Sequence, residues 1–160
     1  MANEKTNVMR ILDKYKINYN SYTYGNGEAV SGDIVAKEIG KAPEKVFKTL
    51  VTEGKSKSNY VFVVPVLKEL DLKKAAMAVG EKSIAMIKSK DLLPVTGYVH
   101  GGCSPIGMKK LFRTVVDSSA ENLETIIFSA GKIGFQVEVS PNDLKKIVNF
   151  NYSDISASEE

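Results

Sequence analysis

Val46-Phe47-Lys48-Thr49-Leu50-Val51-Thr52 and Tyr60-Val61-Phe62-Val63-Val64-Pro65 are two runs of β-branched and aromatic residues separated by a polar stretch at 53–59. Composition and spacing predict a hairpin, with Pro65 ending the second strand because it has no N–H for a ladder. Alternation sets Val46, Lys48 and Leu50 on one face of the first strand and Phe47, Thr49 and Val51 on the other. Lys48 therefore stands on an otherwise apolar face. Such a lysine reads in two ways. It is an edge cation that blocks aggregation and snorkels to water, or it is a cation at the floor of a pocket for an anionic or polar ligand. In the second case the ammonium is partly desolvated and persists only if something compensates it.

Upstream of the hairpin, Val8, Ile11, Leu12 and Tyr15 follow i, i+3, i+4, i+7 spacing behind the cap Thr6, which predicts an amphipathic helix ending near Lys16 or Ile17. Residues 19–24 read as a strand stopped by Gly25-Asn26-Gly27. Ser31 caps a short helix carrying Ile34, Val35 and Ile39 and closed by Gly40, and Pro43-Glu44-Lys45 adds one helical turn. Downstream, Asp71 caps a helix over 72–79 with Gly80 beyond it. A strand is expected at 83–87, then one or two helical turns over 88–93 before Pro94. Residues 97–107 hold four glycines and a proline, which excludes an ordinary helix or central strand and leaves a shaped loop. Strands follow at 114–117, 125–128 and 135–139. Ser140 and Pro141 then open a final helix through Val148, and the polar tail, 153–160, is expected to fray.

The 160 residues show no repeat, low-complexity block or Pro/Ser-rich linker, so a single α+β domain is expected, residues 1–160 with its core at about 6–155. With 43% apolar and 26% charged residues, the chain can bury a core without disulfide or metal staples. No run approaches the ~18 apolar residues of a spanning helix, and the first residues lack the apolar stretch of a signal peptide, so a cytoplasmic protein is expected with no membrane partner. One cysteine, Cys103, and one histidine, His100, exclude an intramolecular disulfide and argue against a zinc centre; no metal and no cofactor are expected. Neither a P-loop nor a dinucleotide glycine pattern is present. A net charge of +3 does not require a nucleic-acid partner but permits one through local patches.

The glycine loop can bring backbone N–H groups against a ligand, as in oxyanion sites, or serve as a turn only. Cys103 and His100 are too loosely placed in it to form a nucleophile and base, and a lone cysteine reads as a small packed side chain. Lys109, Lys110 and Arg113 form a basic cluster beyond the loop, either a solvated face or phosphate contacts with salt-sensitive affinity for RNA.

Several spaced stretches carry a resemblance: Phe47-Lys48-Thr49-Leu50, Glu69-Leu70-Asp71-Leu72-Lys73-Lys74, Thr96-Gly97-Tyr98, Gly101-Gly102-Cys103-Ser104-Pro105-Ile106-Gly107-Met108-Lys109-Lys110, and Glu124-Thr125-Ile126 through Ser129-Ala130-Gly131-Lys132. From about Thr6 to Ile155 the chain resembles the YbaK/EbsC family, bacterial Cys-tRNA(Pro) deacylases related to the editing domain inserted in prolyl-tRNA synthetases. The resemblance implies a compact unit with a mixed, partly barrel-like sheet flanked by helices. It also implies trans-editing of the ester between cysteine and tRNA(Pro), by attack of the cysteine thiol on its own ester carbonyl. Lys48 matches the pocket lysine and Gly101 the glycine of Gly-x-x-x-Pro, the two catalytic positions. Tyr24, Thr49, Gly102 and Ser129 are expected to bind substrate, and Lys109, Lys110, Arg113 and Lys132 to contact tRNA. Prolyl-tRNA synthetase is the implied protein partner. Editing of another mischarged tRNA such as Ala-tRNA(Pro), or a noncatalytic aminoacyl-tRNA or synthetase-binding module, are the alternatives. The chain departs from the family at Ile133, where many relatives have arginine, and at Gln136, where some have aspartate.

Overall fold

The computed structural model describes residues 4–157. The chain begins with α1 (Asn7–Lys14), whose first turn is closed by the Thr6 hydroxyl accepting the Met9 N–H at 3.2 Å. β1 (Asn20–Thr23), α2 (Gly32–Ile39) and a 3-10 turn at Pro43–Lys45 lead to the hairpin of β2 (Phe47–Gly54) and β3 (Asn59–Pro65). In α3 (Leu72–Val79) the Asp71 carboxylate accepts the N–H groups of Lys73 and Lys74, both at 3.0 Å. β4 (Ile84–Met86), α4 (Ser89–Thr96), β5 (Arg113–Asp117), β6 (Ile126–Ser129), β7 (Phe135–Val139), α5 (Pro141–Leu144) and β8 (Phe150–Ser153) complete the order.

The strands form two sheets rather than the one expected. A mixed five-stranded sheet runs β4-β2-β3-β5-β8, with β2 antiparallel to β3 and β4, and β5 parallel to β3 and β8. An antiparallel three-stranded sheet runs β1-β7-β6, and a parallel bridge between Val46 and Ile127 joins the two. Val61, Val63 and Val116 of the large sheet pack with Phe128, Val137 and Val139 of the small one and with Val8 and Leu12 of α1. On the opposite face of the large sheet, Phe62, Val64 and Val115 pack with Ala75, Ala76 and Val79 of α3 and with Ile155. β3 is thus buried on both faces, which is why it reads as a continuous apolar run.

Three local expectations change. α4 continues through Pro94 because the carbonyl left without its donor belongs to exposed Lys90, while the Thr96 hydroxyl on Leu92 C=O and Gly97 N–H on Leu93 C=O, each 2.8 Å, close the last turn. The final helix stops at Leu144 and passes into tight turns, with Lys146 N–H on Asp143 C=O and Ile147 N–H on Leu144 C=O at 3.0 Å, so that the chain can reverse into β8. Residues 153–157 are pinned rather than frayed. Ile155 is fully buried, and its N–H and that of Ser156 donate to Asp117 Oδ1 at 3.1 and 3.2 Å.

One buried charge fastens the small sheet to the chain around it. Glu138 on β7, 7% exposed, accepts from the Tyr22 hydroxyl of β1, the Thr125 hydroxyl before β6, and Lys45 Nζ at 3.0 Å. Burial alone would raise its pKa, but the hydroxyls of Thr125 and Tyr22 and the Lys45 ammonium outweigh it and hold the carboxyl down to about 2 from an ordinary 4.5. Glu138→Leu is expected to cost about 3 kcal/mol, read as a lower urea midpoint at pH 7. Because the folded-state pKa is depressed, this contribution is complete above pH 4.5 and fades as pH falls toward 2, so the gap between wild type and variant should narrow across that window. A gap that stays constant down to pH 3 would contradict the assignment.

Candidate functional site

Pairing along β2 is interrupted at its middle. Residues 52–54 pair with β4, the Val51 carbonyl accepts Ile87 N–H at 3.3 Å, and Val46 bridges to β6, but Thr49 between them has a strand neighbour on one side only. In antiparallel pairs the N–H and C=O of one residue point to the same side, and successive residues to opposite sides. Val46 C=O accepts from Val66 N–H and Gly54 N–H donates to Ser58 C=O, each at 2.9 Å, so the even-numbered residues of β2 turn toward β3. The backbone N–H and C=O of Thr49 therefore face the gap.

A cavity of about 460 Å³ occupies that gap. Lys48 and Thr49 enter it from β2, Ser129 from β6, Gln136 from β7, and Tyr24 from the end of β1. The glycine loop adds His100, Gly101 and Cys103, and residues 30–33 before and at the start of α2 form part of the rim, with Glu69 and Leu92 among the other lining residues. Lys48 and Thr49 point to opposite faces of one strand, yet both reach the cavity because it opens at the edge of the strand. Gly101 has φ +88°, and a Cβ there would lie 2.7 Å from Ala29 Cβ, so only glycine lets the loop approach this closely. Tyr98 fixes the loop by donating its hydroxyl to Ile106 C=O.

Lys48 Nζ lies 3.6 Å from Glu69 Oε2, but the Glu69 side chain is 85% exposed, and so loose a surface pair leaves the cation available to a ligand. Asp33 on the rim is engaged by the Ser31 hydroxyl. Ser129 Oγ accepts Gly131 N–H at 3.1 Å, which orients the hydroxyl and leaves its proton to donate. Thr49 Oγ1 and Gln136 Oε1 are buried and make no hydrogen bond. Burial pushes the Cys103 thiol up to about 12, so it is neutral and a weak nucleophile. His100 is exposed and has no hydrogen-bond partner to orient it among the described residues. A Cys-His nucleophile is not assembled.

Of the residues singled out from sequence, Lys48, Thr49, Gly101, Tyr24 and Ser129 meet in this cavity. Gly102 does not. It is buried beside the backbone of the β6–β7 turn, where a Cβ would lie 3.1 Å from Ile133 N, so it serves close packing of two loops. The basic residues do not form one patch. Arg113 donates to Ala78 C=O and Val79 C=O at the carboxyl end of α3, at 3.2 and 3.3 Å, a structural use of its guanidinium. Lys132 pairs with Glu4 and lies 5.1 Å over the Phe135 ring. Lys109 and Lys110 are exposed and make no ion pair among the described residues. Sequence reasoning gave no role to Gln136, although its place two residues before Glu138 on an alternating strand puts both on one face.

The fold and the cavity define an α+β domain built around a pocket with one buried-edge cation. The model of the aminoacyl-tRNA editing domain matches residues 29–147, and the chain belongs to that family. It is 42% identical over 157 residues to the Enterococcus faecalis protein named "Putative Cys-tRNA(Pro)/Cys-tRNA(Cys) deacylase EbsC", an alignment covering 98% of this chain and 96% of that one. Among solved structures, the hypothetical protein APE2540 superposes with a TM-score of 0.85 at 19% identity, covering 94% of this chain and 99% of the other. One described as "a putative trans-editing enzyme for prolyl tRNA synthetase" superposes with a TM-score of 0.80 at 18% identity, covering 97% and 100%. At those identities the similarity is one of fold.

The raised Cys103 pKa predicts that iodoacetamide at pH 8 alkylates the native protein more than about 100-fold slower than free cysteine and reaches that rate only after denaturation. Labelling of the folded chain at the free-thiol rate would show that Cys103 is an accessible thiolate.

Proposed function

We propose that the protein is an aminoacyl-tRNA deacylase acting on Cys-tRNA(Pro), with the substrate thiol as nucleophile. The observation that carries this reading is the convergence of Lys48, Thr49, Gly101 and Ser129 on one cavity that contains no assembled nucleophile and base. Membership of the editing family and the printed name of the E. faecalis relative support it.

In this reading the cysteine sulfur attacks the ester carbonyl carbon. A C–S bond forms, the C–O bond to the terminal ribose breaks, and the thiol proton ends on the departing ribose oxygen. The cyclic thiolactone leaves, and water opens it to cysteine. An aminoacyl ester is already activated, and holding thiol and carbonyl in attack geometry supplies effective molarities of roughly 10⁵ M or more. Lys48 raises the fraction of ionised thiol, which is a few per cent at neutral pH when unperturbed, or anchors the terminal ribose-phosphate. Gly101 N–H faces the developing oxyanion, Thr49 and Ser129 orient the aminoacyl and ribose groups, and Tyr24 walls the cavity. These contacts read the aminoacyl end, which every cysteinyl-tRNA shares. Selection of tRNA(Pro) is therefore assigned to association with prolyl-tRNA synthetase in the cytoplasm.

Lys48→Ala is expected to lower kcat/KM for Cys-tRNA(Pro) by about 10²–10³ with the urea midpoint little changed. A panel of Cys-, Ser- and Ala-tRNA(Pro) tests the chemistry. Self-attack predicts at least about 100-fold slower release of serine, whose hydroxyl is a far weaker nucleophile than a thiol, and no release of alanine above the spontaneous rate. Comparable rates on all three would overturn it, and saturable binding without ester loss would make the protein a carrier. Added synthetase should restrict deacylation of a mixture of cysteinyl-tRNAs to tRNA(Pro), and an unchanged mixture would remove that partner.

A further inference from the structure

The cavity at the β2 edge contains two buried oxygens that the protein leaves unsatisfied, Thr49 Oγ1 and Gln136 Oε1. Gln136 is only 6% exposed. Buried polar atoms without partners are rare in folded proteins, and two in the wall of one cavity point to a ligand that brings donors. The neighbourhood sharpens the point. Glu138, two residues along β7 on the same face, receives three donors from Tyr22, Thr125 and Lys45, whereas Gln136 receives none. Gln136 lies directly across from Ser129 in the β6–β7 register, so its side chain shares the cavity face with that hydroxyl.

The opposite wall offers more than a hydroxyl. Thr49 turns its backbone C=O and N–H toward the gap, and the strand that would pair with them is missing there. An aminoacyl group can take the place of one residue of that strand. Its amino group then donates to Thr49 C=O, as a strand residue would in a ladder, while its carbonyl oxygen stays with Gly101 N–H. Thr49 C=O and Gln136 Oε1 can only accept, and the unpartnered Thr49 hydroxyl can accept as well as donate, so the set suits a group rich in donors, such as an ammonium.

We propose that Thr49 and Gln136 hold the free α-ammonium of the aminoacyl ester, so that an unblocked amine is a condition of entry and N-acylated esters, such as peptidyl-tRNA, are refused. The inference rests on the deacylase reading above and names what that site recognises. The amide oxygen of Gln136, in the cavity that Lys48 also lines, fits this role as an acceptor.

The test compares deacylation of Cys-tRNA(Pro) with that of N-acetyl-Cys-tRNA(Pro) by wild type and Gln136→Met. Thiol self-attack does not consume the amine, but acetylation removes an electron-withdrawing ammonium and slows the ester's own reaction, so each enzymatic rate is divided by the spontaneous rate of the same ester before the two are compared. So corrected, wild-type kcat/KM should fall about 10- to 100-fold on acetylation, chiefly through KM, as charge-assisted hydrogen bonds are lost. Gln136→Met should lose about 10-fold on the free amine and shrink the ratio between the two substrates. Gln136→Glu, which restores an acceptor, should widen the ratio again and thereby separates recognition from misfolding. Equal rates on both substrates overturn the proposal, and so does a ratio that survives in Gln136→Met but collapses in Asp33→Asn, which would move the ammonium to the rim. If neither ester is cleaved above its spontaneous rate, the deacylase reading fails. Binding of cysteine linked by an amide to 3′-amino-3′-deoxyadenosine, with the amine free or acetylated, then decides the ammonium site alone: preference for the free amine upholds it, and equal affinity ends it.

Discussion

An unpaired stretch of sheet edge is the constraint on which the site depends. β2 is asked to serve two sheets, bridging to β6 at Val46 and pairing with β4 at residues 52–54, and between those commitments Thr49 has no strand neighbour on that side. Free strand edges invite pairing with other chains, and proteins cover or blunt them. Here the small sheet, the glycine loop and the start of α2 close around the gap and turn it into a cavity of about 460 Å³. A strand edge gives such a cavity something that a sheet face does not. Side chains from both faces of the strand reach it, and the backbone contributes its own donor and acceptor. Lys48 and Thr49 meet for that reason.

The face of β7 that looks toward this cavity divides stability from recognition over two residues. Glu138 has every donor it needs, and its carboxyl is held down to about 2, so it fastens β1, the turn at Pro43–Lys45 and β6 together. Gln136, a lining residue of the cavity, has a buried amide oxygen without a donor. A fold can carry an unsatisfied polar atom of this kind because the network beside it is complete, and local incompleteness where a ligand belongs is how polar networks become binding sites. The glycine loop follows the same division. Gly102 packs against a neighbouring turn, while Gly101, one residue earlier, takes the left-handed conformation that brings backbone to the cavity.

Most of the fold was legible because its signals are local. The caps Thr6, Asp71 and Ser140, the C-terminal glycines Gly40 and Gly80, and the alternation through 46–64 each act within a few residues. What escaped was set at long range. β8 and the segment to residue 157 are short and polar, and they are ordered by Asp117 and by backbone bonds from Asp71 to Ile155 and from Ala157 to Glu69, about which their own composition says nothing. The division of the strands into two sheets, joined by the bridge from Val46 to Ile127, is likewise set by residues far apart in the chain. In the site, the resemblance placed Lys48, Thr49, Gly101, Tyr24 and Ser129 together, but it could not show that Thr49 presents its backbone as well as its side chain, because strand-edge status belongs to the topology. Nor could it show that Arg113 is taken up by the carboxyl end of α3.

The account gives the protein the roles of scaffold, charge and filter, and leaves bond-breaking to the sulfur of the substrate. That division is tested most directly by a single turnover of Cys-tRNA(Pro) with the protein in excess, quenched in acid, followed by intact mass measurement of the chain and chemical capture of the released small molecule. The account predicts an unmodified polypeptide at every time point and a captured cysteine thiolactone that rises before free cysteine. A chain that gains the mass of one cysteinyl group during turnover would show that a side chain of the protein attacks the ester, and would contradict it.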